Sequence, residues 1–521
     1  MTSALYKKVG LATLIMSLSI LGSRVIGLVR EMVIAHAGGV TGAVDAYQVS
    51  FIIPEILNHV AASGFLSITF IPIFTRYLAD HNEAEGWRVF NTILTLCGAL
   101  LLFFSSLAIW LAPHLVRFLA PGLTEPALRV EAIHMTRIII PAQFFFFAGG
   151  LFTAVQFAKE RFFLPALAPL IYNIGIIVGG LFVPSAGMRG FSYGVLGGAF
   201  LGNFVLQYWG ARRVGLTWRL CFDWRHPALI RYIKLSLPLM VGLTMLFSTE
   251  LFLKYFGSFL PRGGIAGLNY SLRVMLMLAG FFGQAVGVAS FPFLARLAAE
   301  HKMDEMNRLL NNTLRYLTFV IPLAVLVMVL RHEMIRILFE RGRFDAAATD
   351  MTADILACLM PGAFAFAAQT AVLRGFYAMQ NTLFPALFCT AAVTCSLPLY
   401  IVGTRLFGAK GVALAIAFST TFQVWLLYAV WNRKQLNPHS RELYWFIYKV
   451  VALSVPLGLL FEWIRRGLAQ RFPVETGSGS WMLAGGVGIV FVMLFLGAAH
   501  LAGIDEVGQL VRRISNRMRS R

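Results

Sequence analysis

The chain has 521 residues, of which 58% are hydrophobic and 13% charged, and 44 Lys+Arg against 24 Asp+Glu give it a formal charge of +20. A soluble domain carries about 25% charged and 45–50% apolar residues, so this composition excludes a soluble enzyme, a secreted scaffold and a disordered chain. Apolar runs of about 20 residues, rather than short alternating segments, point to an all-α polytopic membrane protein.

Hydrophobic windows predict about fourteen transmembrane helices. They fall at 10–37, 46–71, 88–112, 128–158, 162–184, 190–211, 230–257, 265–298, 308–330, 348–378, 383–405, 409–431, 445–465 and 478–502. Lys7 and Lys8 precede the first run, which continues through Arg24 and Arg30 without a small-residue cleavage site, so it reads as a span and not a signal peptide. Cys97, Cys221, Cys358, Cys389 and Cys395 show no metal-like spacing and read as small buried hydrophobes, with no metal site expected. With Met1 inside, the loops on that side hold about 22 Lys/Arg against about 13 opposite, which puts both termini in the cytoplasm. The 212–231 segment and the tail beyond Arg512 dominate that count. Their plain reading is topology and contact with anionic membrane lipids. The rival reading is a membrane scaffold whose basic loops recruit cytoplasmic enzymes.

An internal repeat organises the chain. Shifted by 220 residues, Phe70-Ile-Pro72-Ile-Phe-Thr-Arg76 falls on Ser290-Phe-Pro292-Phe-Leu-Ala-Arg296. The same shift carries His81, Arg88 and Asn91 onto His301, Arg308 and Asn311, Gly122 onto Gly342, and Pro141 onto Pro361. Prolines and glycines weigh most, because each fixes a kink or turn at an equivalent place. Two parallel six-helix repeats, 1–220 and 221–435, are therefore expected, followed at 436–521 by two extra helices and a basic tail. Parallel repeats about an axis along the membrane normal are a transporter architecture.

An ionisable group at bilayer depth is costly unless it meets a partner or a cavity, so each one is a functional candidate. The first span carries Arg24, Arg30 and Glu31, the two arginines about 120° apart on the helix. The second span starts near Asp45 and contains Glu55, at a depth that allows a pair with Arg24 or Arg30. The seventh carries Glu250 and Lys254 at i,i+4 spacing, open to a pair within the helix, and the eighth carries Arg273. Arg24, Arg30 and Arg273 form the cationic core, and arginine's planar, permanently charged fork suits a phosphate or pyrophosphate. Glu31, Asp45, Glu55 and Glu250 are expected in gating or ion pairs. No GxxxxGK[ST], HExxH or catalytic triad accompanies them, so no enzyme, no ATP hydrolysis and no cofactor are expected.

Several blocks resemble the MurJ/MviN lipid II flippase family, within the multidrug/oligosaccharidyl-lipid/polysaccharide exporter superfamily. They are Ser23-Arg24-Val-Ile-Gly-Leu-Val-Arg30-Glu31, Val44-Asp45-Ala-Tyr47, Ser63-Gly64-Phe65, Leu268-Asn-Tyr270-Ser-Leu-Arg273 and Leu338-Phe-Glu-Arg-Gly342-Arg-Phe344-Asp345. The resemblance implies two six-helix lobes plus two C-terminal helices that form a groove for a polyprenyl tail. It implies a cavity in which Arg24, Arg30 and Arg273 receive a lipid pyrophosphate, with Glu31 and Asp45 in gating. The implied cargo is lipid II, an undecaprenyl-pyrophosphate-linked cell-wall precursor, carried outward across the bacterial inner membrane by alternating access. Membrane potential or a cation gradient would drive it, cell-wall synthesis proteins would be its neighbours, and nucleic acid has no part. The sequence departs from the family pattern at Asn58, His59, Ser63 and Leu272, and Leu253 stands where some relatives place a sodium-binding Asp. These departures leave a flippase for another polyprenyl-linked saccharide as the nearest alternative. A cation-coupled drug exporter is further off, since its usual cargo is cationic.

Overall fold

The computed structural model describes residues 2–61, 69–244, 248–381, 383–469 and 477–504, and all regular structure among them is helical. Nine helices among the described residues are long and apolar enough to cross a bilayer. One of them, Leu383–Lys434, holds two expected spans, because Gly408 (φ 56°, ψ −130°) breaks it. The expected first, second, sixth and seventh spans fall on helices interrupted or loaded with polar groups. The first, Thr2–Gly38, carries the intramembrane arginines. The second splits into Gly42–Val49 and Ile52–Ala61. The sixth passes through a wide π-type turn at Ala199–Val205. The seventh falls on Pro227–Thr244 and Ser248–Gly257, with 245–247 outside the described residues.

The repeat is written into the helix boundaries. Adding 220 to Pro126–Ile139 gives Ala346–Leu359, and both ends coincide with those of a helix. The starts Glu83 and Met303 correspond in the same way, as do the starts Phe163 and Leu383 and the ends Ala158 and Ala378. Left-handed backbone at residues other than glycine is rare. Here it recurs in register, at His81 (φ 53°) with His301 (φ 56°), and at Glu160 (φ 58°) with Gln380 (φ 56°). Buried amides repeat too: Asn91 Nδ2 donates to Thr217 O at 2.8 Å, and Asn311 Nδ2 donates to Asn437 Oδ1 at 3.1 Å.

Packing divides the chain into two compact units, Met1–Ala266 with Arg341–Phe344, and Gly267–Glu340 with Asp345–Arg521. The first has an aromatic core that includes Phe70, Phe74, Trp87, Phe90 and Phe152. In the second, Phe446, Phe461, Phe491 and Phe495 seat the two C-terminal helices against Val329 and Leu330.

Within the first unit, residues 341–344 clasp the end of the first helix. Arg343 N–H donates to His36 O at 2.9 Å. Two left-handed glycines make this approach feasible, Gly39 (φ 62°) and Gly342 (φ 63°). A Cβ on Gly39 would lie 2.3 Å from Arg343 O, and one on Gly342 would lie 2.4 Å from His36 Nδ1 and 2.6 Å from His36 O. Alanine at a left-handed position costs about 1–2 kcal/mol before any clash is counted. Gly39→Ala and Gly342→Ala should therefore each lower the thermal unfolding midpoint of the purified chain. Gly197→Ala, in a helix with open space around the glycine, should leave it unchanged or raise it, by up to ~1 kcal/mol.

Candidate intramembrane charge site

The charged residues of the first helix sit differently from one another. Arg24 is exposed, and among the described residues it makes no hydrogen bond or ion pair. Arg30, two turns on and half-buried, is held from two sides. One terminal nitrogen donates to Asn173 Oδ1 at 3.0 Å and the other to the Glu31 carboxylate. Glu31 itself is buried. Asn173 lies on the helix Phe163–Gly179, anchored through its amide to Pro169 O at 2.9 Å and to Ser23 Oγ at 3.4 Å. Arginine offers five N–H donors, and its buried Nε has no acceptor among the described residues. The guanidinium is thus oriented by its neighbours while keeping donor capacity for a further acceptor.

Asp45 does not pair with an arginine. It is buried, and its carboxylate accepts from Gly263 N at 2.5 Å and from Ala266 N at 2.8 Å. These are backbone donors at the start of the helix Gly264–Ala299, where a negative charge meets orphan N–H groups and the positive end of the helix dipole. The link ties the second span to the loop that leads into the eighth.

Glu55 takes Lys254, which the sequence offered to Glu250, as its partner. Its Oε2 lies 2.5 Å from Lys254 Nζ, and Lys254 is 2% exposed, with the Phe51 ring 5.9 Å from its ammonium. Neither a Glu55 pair with Arg24 or Arg30 nor a Glu250–Lys254 pair within the helix is present. The helix of the second span is interrupted at Ser50–Phe51 and restarts at Ile52, and Glu55 in its first turn reaches Lys254 of the seventh span. Glu250 is half-buried in the first turn of Ser248–Gly257, and Arg273 is half-buried on the long helix of the second unit. Of the departures from the family pattern, His59 bonds Glu55 O at 2.8 Å through Nδ1, Asn58 is half-buried, Leu253 and Leu272 are buried, and Ser63 lies outside the described residues.

The second unit holds an apolar groove of about 720 Å³, lined by Ile321, Val325, Phe364, Val372, Val451 and Leu459 among others. Its rim carries Arg331, whose two terminal nitrogens each reach Glu462 at 3.2 Å, and Arg466, whose Nε donates to Glu462 at 3.0 Å.

Sequence reasoning passed over Asn173 and offered Lys254 only as a partner for Glu250. Each had a signal: Asn173 is a lone amide in a strongly apolar span, and Lys254 is a lone cation one turn from the end of its helix. Removing one partner of a buried pair strands the other charge. Glu55→Gln should therefore destabilise the chain by about 3 kcal/mol, at the low end of the usual range because Glu55 is partly open. The double variant Glu55→Gln/Lys254→Met should recover most of that loss, as read by thermal unfolding in detergent.

Comparison with known proteins gives one consistent answer. Residues 34–473 match the family described as "Lipid II flippase MurJ". A "Probable lipid II flippase MurJ" of Rhizobium tropici is 26% identical over 516 residues, covering 95% of each chain. A "Lipid II flippase MurJ" of Burkholderia cenocepacia is 26% identical over 451 residues, covering 85% of this chain and 87% of the relative. Among solved structures, a lipid II flippase MurJ in an inward closed conformation aligns with TM-score 0.75 at 22% identity, covering 94% of this chain and 100% of that one. An inward-facing multidrug resistance transporter of the MATE family aligns with TM-score 0.61 at 13% identity, covering 80% of this chain and 96% of the other.

Proposed function

The chain belongs to the lipid II flippase MurJ family, and from that premise we propose that it moves lipid II by presenting the headgroup phosphates with the arginines of its membrane helices. It is a transporter of lipid-linked cargo. The observation that carries the mechanism is Arg30, a guanidinium at membrane depth fixed by Asn173 and Glu31 with a buried nitrogen left for another acceptor. A cation held this way would have its desolvation offset by an anion, and arginine grips phosphate through paired, charge-assisted hydrogen bonds.

In this reading Arg24, exposed and unengaged among the described residues, meets the incoming headgroup first, and Arg30 holds it. Arg273 supplies a further cation on the second unit. Glu31 competes with the phosphate for Arg30 and so resets the empty site. The Glu55–Lys254 pair and the Asp45 cap are contacts that gating would have to break and remake, with Glu250 near them on the seventh span. The apolar groove of the second unit suits a polyprenyl tail, which never has to leave a hydrocarbon environment.

The protein works in the bacterial inner membrane with both termini in the cytoplasm, carries the cargo outward by alternating access, and needs no cofactor. Moving about two negative charges out of a negative interior releases roughly 4–5 kcal/mol per 100 mV, so the membrane potential suffices as a driving force. In cells depleted of their own lipid II flippase, Arg30→Ala and Arg24→Ala variants should insert at normal levels yet fail to restore growth, and lipid II should accumulate in the inner leaflet. Full rescue by Arg30→Ala would remove the proposal.

A further inference from the structure

The thirteen residues 214–226 join the helix Leu206–Arg213 to the helix Pro227–Thr244 without helical structure of their own. They do not hang free. Asn91 Nδ2 donates to Thr217 O at 2.8 Å, Arg219 N donates to Asn91 Oδ1 at 3.2 Å, and Cys221 N donates to Thr95 Oγ1 at 3.3 Å. Farther along, Asp223 accepts from Arg88 at 3.0 Å, and His226 Nε2 lies 2.9 Å from Glu85. The anchors all belong to the helix Glu83–Leu119. The segment therefore runs down that helix from Asn91 to Thr95 and back up to Glu85. Thr95 lies 12 residues (95 − 83) beyond the helix start, about 18 Å along its axis. Non-helical backbone beside a membrane helix is tolerated where protein groups take up its hydrogen bonds, and the Asn91 and Thr95 side chains do so.

From 217 to 223 the odd-numbered residues supply the anchors, through the backbone of Thr217, Arg219 and Cys221 and the side chain of Asp223, and the apolar side chains between them stay exposed, whereas Leu216 and His226 near the two ends are buried. Trp218, Leu220, Phe222 and Trp224 are 52%, 72%, 65% and 66% exposed. Basic residues accompany them: Arg212 and Arg213 at the entry and Arg219 and Arg225 within, all exposed. Arg213 lies 3.6 Å over the Trp209 ring and Arg225 lies 4.5 Å over Trp224. The one acidic residue of the segment, Asp223, is already paired with Arg88.

We infer that residues 214–226 form a membrane-interface strap. Its outward row inserts at the headgroup–acyl boundary, and its arginines bind the phosphates of anionic lipids in the adjacent leaflet. Amphipathic rings favour that depth, and basic groups near an anionic surface add an attraction that salt screens. The strap is also the connection between the two sequence repeats, so the link between them is fastened to the bilayer. The inference is independent of which lipid-linked cargo is moved.

The test uses the full chain in vesicles of phosphatidylcholine, with or without phosphatidylglycerol. Its five native cysteines are changed to alanine, and single spin labels are introduced by Leu220→Cys, Phe222→Cys and, as an aqueous reference, Lys302→Cys. Labels at 220 and 222 should be accessible to oxygen and shielded from a water-soluble nickel chelate, with the reverse at 302. Labels at 220 and 222 as open to the chelate as the one at 302 overturn the inference and leave the row as a face for a protein partner. In a cysteine-intact second arm, Arg219→Gln/Arg225→Gln should retain less phosphatidylglycerol by native mass spectrometry. The loss should approach 30-fold if each arginine is worth about fivefold. Retention equal to the parent chain's would also overturn it.

Discussion

The rest of this structure turns on the cost of a positive charge inside a membrane. Arg30 sits in a helix that an apolar residue would suit better, and its neighbours are arranged to make that charge tolerable. Glu31 neutralises it, Asn173 orients it, and Ser23 and Pro169 orient Asn173. A purely structural ion pair would be expected to use up the buried donors, since an unmet one costs free energy. Here the buried Nε has no acceptor among the described residues, and the proposed phosphate contact rests on that open donor.

Much of the fold was legible in the sequence, and the repeat shows why. Elements in a duplicated chain must stop and turn at equivalent places, so punctuation survives where side chains drift. His81 and His301 are a matched pair in the sequence and a matched left-handed turn in the structure. Pro141 and Pro361 likewise mark the same interruption between two helices. Length and hydropathy located ten of the expected spans, on nine apolar helices. They were weaker at the other four, where intramembrane charge, the break at Ser50–Phe51 or a wide turn replaces a continuous apolar run.

The candidate site was legible as a list and not as a set of pairs. Charges at membrane depth announce themselves, so Arg24, Arg30, Glu31, Asp45, Glu55, Glu250 and Arg273 stood out. Their partners depend on which helices pack together in three dimensions, which no periodicity reveals. Glu55 therefore meets Lys254 across the interior of the first unit, although Lys254 had a nearer candidate one turn away in Glu250. Asp45 meets backbone rather than a cation, because a helix start happens to lie opposite it. The reciprocal fit of Gly39 and Gly342 was equally hidden, since each glycine makes sense only beside the other.

The proposed contact between Arg30 and the phosphates of the cargo's headgroup can be read from binding affinity on the purified chain. Binding of a polyprenyl-pyrophosphate lipid and of the matching uncharged polyprenol should be compared for the parent chain and for Arg30→Ala. The variant should lose affinity for the pyrophosphate by about 10–100-fold, the range of charge-assisted hydrogen bonds, while its affinity for the uncharged lipid stays the same. Equal affinity of both chains for the pyrophosphate would contradict it.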